Sequence, residues 1–297
     1  MNLGQGRIAQ EYTVDIYAQV YKALTAMSPK YARLLLPPVN TQVLGYGMLG
    51  HVYTTRNPDR VLKLTADASE LIMGKWFEAR RRRKAYRGVV QVYDARLVPL
   101  GRAFTRRFRN APPEEYDPAD YVHVTGRRRR GFKLREWTYH ALPVTLPTHI
   151  IALLREPIIA TEGEISEAEY RKQFARMGYQ FGNKKWQRAA EKLDDFSEAA
   201  QILRASLEPD DEDAPAPSLV EEVRGWLKRN AKVGGIGWLA ESFLALHDEG
   251  IGISDLHEGN LGVTARSYKA GQFVLFDFGI AYSSHPMRLP EELEGWV

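Results

Sequence analysis

Gly45, Gly47 and Gly50 fall in the stretch VLGYGMLGHV, residues 43–52, which has the pattern G-x-G-x-x-G-x-V and is flanked on both sides by residues that alternate as in a β-strand. That context limits the fold more than any other feature. A second strand-like segment, RVLKLT, follows after a turn at Asn57-Pro58-Asp59, so the segment predicts a β-hairpin with a glycine-rich tip. In a dinucleotide-binding α/β unit the glycines would stand between a strand and a helix, and here they stand between two strands. The chain also contains no G-x-x-x-x-G-K-[ST], so a P-loop is not expected.

The flanking sequence sorts into three parts. Over 1–39, Ile8, Tyr12, Ile16, Val20 and Leu24 recur at a spacing of four until Pro29 and Pro37-Pro38, which predicts an N-terminal helical extension. Over 40–158 the strand period dominates. Asp67-Ala-Ser-Glu70 has the form of a capping box opening one helix toward Arg83, and further strands are expected at VVQVYDARLV, YVHVT, GFKLREW and HIIALLRE, with Arg127–Arg130 at a hairpin tip. Over 159–297 the pattern is mainly helical: SEAEYRKQFARMGYQF, then Lys184 to about Leu207, then a helix or helix pair interrupted near Gly234-Gly235. The acidic segment 208–217 reads as a solvated loop, and short strands return at LGVT and FVLFDF. The expected class is α+β.

Composition narrows the chemistry. The 297 residues include no cysteine, which excludes disulfides, Cys-ligated metals and thiol catalysis. No apolar run reaches the roughly 18 residues of a membrane span, and the N-terminus lacks the apolar core of a secretory signal, so a cytoplasmic protein without a membrane partner is expected. Net charge is +4, but residues 78–135 alone carry +11, leaving −7 elsewhere. Such asymmetry points to an anionic partner, either nucleic acid or an acidic protein, at the Arg-rich segment 80–135.

Lys63 lies on the strand after the glycines, on the same face as Val61, where an apolar side chain can lie against a base while an ammonium reaches phosphates. A buried lysine needs an anionic partner. Glu78, in the following helix, is the expected one; Glu70 is the second choice, because its position suits capping. Near the C-terminus, Asp255 and Asn260 stand five apart in ISDLHEGNL, so that one residue can orient a hydroxyl nucleophile while the other ligates magnesium. Asp277, in VLFDFG, ends a strand and offers carboxylate oxygen to a hard cation. His257 reads as a loop hydrogen-bonding residue, not a metal ligand.

In this order, the glycine hairpin, Lys63, Asp255-x4-Asn260 and Asp277-Phe-Gly resemble the protein-kinase-like fold. DLHEGN is closer to the D-L-H-P-G-N of aminoglycoside and choline phosphotransferases, whereas DFG is the protein-kinase form. The resemblance implies two lobes, an antiparallel sheet with one helix followed by a mainly helical C-terminal lobe, with ATP and Mg²⁺ as cofactors. It implies that Gly45, Gly47, Gly50, Val52 and Val61 surround the nucleotide, with Lys63 on the α- and β-phosphates and Glu78 holding Lys63. It further implies Asp255 as catalytic base, Asn260 and Asp277 on magnesium, and an adenine-binding hinge at Leu154–Ile158. Since Pro157 has no N–H, Glu156 or Ile158 would donate there. Ile253-Ser254-Asp255 replaces the family's His-Arg-Asp, no A-P-E follows, and 18 residues remain after Gly279, so a shortened C-terminal lobe is expected. The acceptor would be a hydroxyl of a protein or a small molecule, with Tyr282, Ser283 and Ser284 as autophosphorylation candidates. The competing expectation is a nucleotide-binding pseudokinase or scaffold that uses its basic surface.

Overall fold

Alternating residues around the glycines fold as strands, as their period predicts. In the computed structural model, which describes residues 16–46, 50–65, 67–100, 121–125, 139–143, 149–160, 192–207, 214–253, 256, 260–278, 281–283 and 292, the fold is mixed α+β. Strand β1 (Val43–Tyr46) pairs with β2 (Gly50–Thr54), and β2 with β3 (Val61–Thr65). Two later strands, β4 (Val92–Pro99) and β7 (His149–Arg155), complete an antiparallel five-stranded sheet in the order β1-β2-β3-β7-β4. The turn at Asn57 forms as expected: the Asp59 N–H donates to Asn57 Oδ1 at 2.9 Å and the Arg60 N–H to the Asn57 carbonyl at 3.0 Å.

This sheet belongs to the first of two units, comprising Met1–Glu78, Val92–Arg155 and Arg288–Val297. Residues directly opposite each other in an antiparallel sheet share a face, so the register sorts the side chains. Tyr53, Leu62 and Leu154 form one row, and on that face Tyr53, Leu62, Leu64, Ile150 and Ala152 pack into a core with Tyr17, Val20, Leu24, Tyr31 and Leu35. The last five come from the N-terminal extension. Helix α1 (16–27) buries Tyr17, Val20 and Leu24 completely, while Ile16 is half-buried; Ile8 and Tyr12 lie outside the described residues. Pro29 opens a helix instead of ending one: α2 (Pro29–Leu34) starts there, and Ser28 accepts the Lys30 N–H. The extension is thus the layer that covers this face of the sheet.

The opposite face carries the row Gly45, Val52, Lys63, Leu153 and Ala95. Helix α3 (Ala68–Arg80) covers it, because Gly74 lacks a side chain: a Cβ there would come within 2.8 Å of Leu153 Cδ2 and 3.2 Å of Ala95 Cβ. β5 (Tyr121–Thr125) pairs with β6 (Tyr139–Pro143), and the GFKLREW segment lies outside the described residues. Arg127–Arg130 therefore fall in the connection 126–138, outside the described residues.

The second unit comprises Ala79–Gln91 and Glu156–Met287. It holds α4 (Leu193–Ala205), α5 (Pro217–Asn230) and α6 (Gly237–Asp248), with Phe196 and Phe243 edge to face at 4.9 Å between α4 and α6. The predicted break falls between α5 and α6, where Gly235 has φ 93°. Three short strands, β8 (Ile159–Ala160), β10 (Leu261–Val263) and β11 (Val274–Leu275), form one small sheet. β9 (Ile251–Ile253) and β12 (Ala281–Ser283) form another. Helix α7 (Ala265–Ala270) connects β10 to β11 behind a reciprocal Thr264–Ser267 capping box. The predicted helix at residues 166–181 and most of the acidic loop, 208–213, lie outside the described residues. Among the described residues, no helix is long and apolar enough to cross a membrane.

Candidate functional site

In the first unit the candidate residues centre on Lys63. It occupies the middle of β3, whose residues are all buried, so its ammonium is taken out of water and must be paired. The paired carboxylate is Glu70: Lys63 Nζ lies 2.7 Å from Glu70 Oε1, with the side chains 8% and 3% exposed. This corrects the expectation that Glu78 holds Lys63. The reason is the position of the helix start: α3 begins three residues after β3 ends, so its first turn faces the strand. Glu78 is eight residues further, about 12 Å along the helix axis. Its carboxyl instead accepts a hydrogen bond from the Ala95 N–H on the sheet's edge strand. Burial, and then the neighbouring Asp94, raise the Glu78 pKa against the opposing influence of Lys75 and Arg96.

Glu70 therefore has a task other than the capping expected of it. Asp67 caps α3, its Oδ1 accepting from the Ser69 N–H at 2.8 Å and from Ser69 Oγ at 2.6 Å. Oε1 of Glu70 accepts from Thr65 Oγ1 at 3.0 Å as well as from Lys63. The Thr65 hydroxyl itself accepts the Asp67 N–H at 3.2 Å. Thr65 was missed in the sequence; its position two residues after Lys63, on the same face of β3, was the available signal.

Around this pair, Val52 is directly opposite Lys63 on β2, and Gly45 is opposite Val52 on β1. Val61 lies on the Lys63 face and is 3% exposed. Gly50 faces Thr65, where a Cβ would meet the Leu64 carbonyl oxygen at 2.7 Å. Gly47 lies outside the described residues. His51, beside Gly50, has its pKa lowered by burial.

The second unit brings two loops together through strand pairing. β9 leads into the 254–260 segment, which returns as β10; β11 leads into 276–280, which returns as β12. Because β9 pairs with β12 and β10 with β11, the two segments begin and end against each other. The junction is tight: the Phe276 N–H donates to the Asn260 carbonyl at 3.0 Å, extending the β10–β11 ladder by one step and leaving Asp277 next in line. Asn260 is 7% exposed, Asp277 is half-buried, and Phe278 is fully buried. Asp255 and His257 lie outside the described residues. Tyr282 and Ser283 lie on β12, opposite Gly252 and Ile251; Ser284 is not among the described residues.

Among the described residues no three His, Asp or Glu side chains gather as a metal site. Asn260 and Asp277 offer a carboxamide and a carboxylate oxygen, a donor set that fits magnesium, which keeps waters and phosphate oxygens in its other positions.

Glu156 has a different role from the one expected. Its N–H donates to the Gln91 carbonyl at 3.1 Å, so it is not available to an adenine ring. Its carboxylate accepts the Gln91 N–H at 3.0 Å and two bonds from Arg266, at 3.3 and 3.2 Å. Arg266 also donates to the carbonyls of Arg87 and Val89 and stacks over Trp238 at 5.0 Å. Glu156 is thus an internal clamp of the second unit; with Pro157 unable to donate, Ile158 alone remains of the two expected hinge donors. At the end of α3, Arg81, Arg82 and Lys84 are exposed.

Comparison with protein-family models finds none that matches the chain, and a search of curated proteins finds no match.

Proposed function

We propose that the protein is an ATP- and Mg²⁺-dependent phosphotransferase of the protein-kinase-like fold that moves the γ-phosphoryl group of ATP to a hydroxyl acceptor on a protein or a small molecule. The observation that carries this reading is the strand pairing that sets Asn260 against Phe276, the residue before Asp277. The buried Lys63–Glu70 pair beside the glycine hairpin supports it independently.

On this reading Lys63 donates hydrogen bonds to the α- and β-phosphates, and Glu70 keeps its ammonium aimed. Asn260 and Asp277 hold magnesium, which when bound neutralises charge on the phosphate oxygens. Asp255 orients the acceptor hydroxyl and takes its proton as the new O–P bond forms and the β–γ bridge bond breaks, with ADP leaving. Phosphoryl transfer asks for little covalent participation, so positioning and charge account for most of the rate.

The test is thermal stability of the wild type and of Asp277→Ala with and without Mg-ATP. At a hundred times its Kd the ligand should stabilise the wild type by about 2.7 kcal/mol and leave the variant unmoved. Equal shifts in both proteins, or none in the wild type, would overturn the assignment.

A further inference from the structure

We propose that Thr65 is the positioning residue of the nucleotide site: its hydroxyl fixes the Glu70 carboxylate that holds Lys63, and it couples that ion pair to the glycine hairpin. The inference rests on the phosphotransferase reading for its consequence, but not for its geometry.

Thr65 is completely buried and ends β3 on the same face as Lys63. Its hydroxyl is used in both directions. It accepts the Asp67 N–H at 3.2 Å, and that bond orients the oxygen so that its hydrogen points at Glu70 Oε1, 3.0 Å away. The same Oε1 receives the Lys63 ammonium at 2.7 Å. A carboxylate on a flexible side chain in the first turn of a helix has several rotamers, and a second donor on the oxygen that meets the ammonium restricts it to one.

The coupling to the hairpin runs through the other side of the same residue. Gly50 pairs with Thr65 across β2 and β3, and a Cβ on Gly50 would lie 3.2 Å from Thr65 Cβ. Thr65 therefore fills the space left by the last glycine of the G-x-G-x-x-G pattern. A shift of the hairpin strand moves Thr65, and with it the carboxylate that aims Lys63.

The test compares Thr65→Val, which keeps the branched shape and removes the hydroxyl, with Thr65→Ser, which keeps the hydroxyl. One readout is the rate at which acetic anhydride acylates Lys63 at fixed pH, followed by peptide mass spectrometry. The other is the Kd for Mg-ATP. Losing a hydrogen bond to a charged group should raise both by about tenfold in the valine protein, while the serine protein stays within about twofold of wild type. Should the valine protein fail to fold, Thr65→Ala serves in its place. A valine or alanine protein with wild-type acylation and affinity, or a serine protein as impaired as the valine one, would overturn the proposal. If the wild type binds no Mg-ATP, the phosphotransferase reading fails, and the acylation ratio still decides the role of Thr65.

Discussion

Gly50 shows how a residue chosen for one reason in the sequence is required for another in the structure. Its place in the motif suggests close approach of backbone to phosphate, yet its immediate neighbours are the Leu64 carbonyl and Thr65. Both are parts of the adjacent strand, so the sheet itself excludes a side chain there. Gly50→Ala should therefore cost about 1–3 kcal/mol, the usual penalty for overpacking a filled site. Gly45→Ala, with nothing within 4 Å of the added carbon, should stay within about 0.5 kcal/mol. Urea denaturation of the two variants measures the contrast, and equal midpoints would show that the Leu64 carbonyl moves aside freely. The error over Glu78 has a similar origin. A sequence places Lys63 on a strand and two glutamates on a helix, but which glutamate faces the lysine depends on how closely the helix follows the strand, and that is set by the two-residue link at its start.

At the scale of elements, the α1–α2 extension is legible as a helix and illegible as a core component. Spacing reveals an apolar stripe, but nothing in the stripe says that its partner is the face of β3 bearing Leu62 and Leu64. A buried carboxylate specifies the docking further. Asp94 on β4, 2% exposed, accepts from Lys30 and from Tyr31 at 2.6 Å, both on α2, and from Arg96 at 2.9 Å. Burial alone would raise the Asp94 pKa; the bonds from Lys30 and Tyr31, with Arg96 beside them, bring it below its ordinary value. The three donors are not equal. Lys30 is 45% exposed, so Lys30→Ala should cost no more than about 1 kcal/mol, since Tyr31 and Arg96 still satisfy the carboxylate. Asp94→Ala removes the acceptor of three donors and strands the Tyr31 hydroxyl in the core, which should cost about 2–4 kcal/mol. Equilibrium unfolding of both variants checks the asymmetry, and equal costs would mean that the exposed ammonium, not the buried carboxylate, carries the latch.

For the whole molecule, the sequence reading divides the chain into consecutive parts, whereas the contacts interleave them: residues 79–91 belong with 156–287, and 288–297 with the sheet. The reason is physical. Val90 donates to the Leu275 carbonyl and Leu275 to that of Gly88, pairings between segments about 185 residues apart that no local period encodes. Lys75 and Glu292 form a similar long link within the first unit, at 2.6 Å. A property of the entire chain nonetheless follows from a few residues. His51 and His149 in the first unit and His247 in the second have their pKa values lowered, in each case chiefly by burial, with Arg224 adding to the effect at His247. There Arg224 donates to Nδ1 at 2.7 Å, so Nε2 carries the proton and faces Ser206 Oγ at 3.0 Å, an arrangement that protonation of Nδ1 would break. When a folded-state histidine pKa lies below its unfolded value of 6.5, the unfolded chain binds more protons through the interval between the two. Stability should then fall as the pH drops below about 6.5, by at most about 1.4 kcal/mol per pH unit for each histidine. Asp94 and Glu292, whose pKa values are lowered, extend the loss below the ordinary carboxylate range, while Glu78, raised, opposes it. Denaturant midpoints measured from pH 7.5 to 5 in the wild type and in the variant carrying His51→Gln, His149→Gln and His247→Gln separate the two classes. The substituted protein should be flatter across that interval, which lies above the range where Asp94 and Glu292 act; if it loses stability as steeply as the wild type, the three histidines do not carry the acid sensitivity.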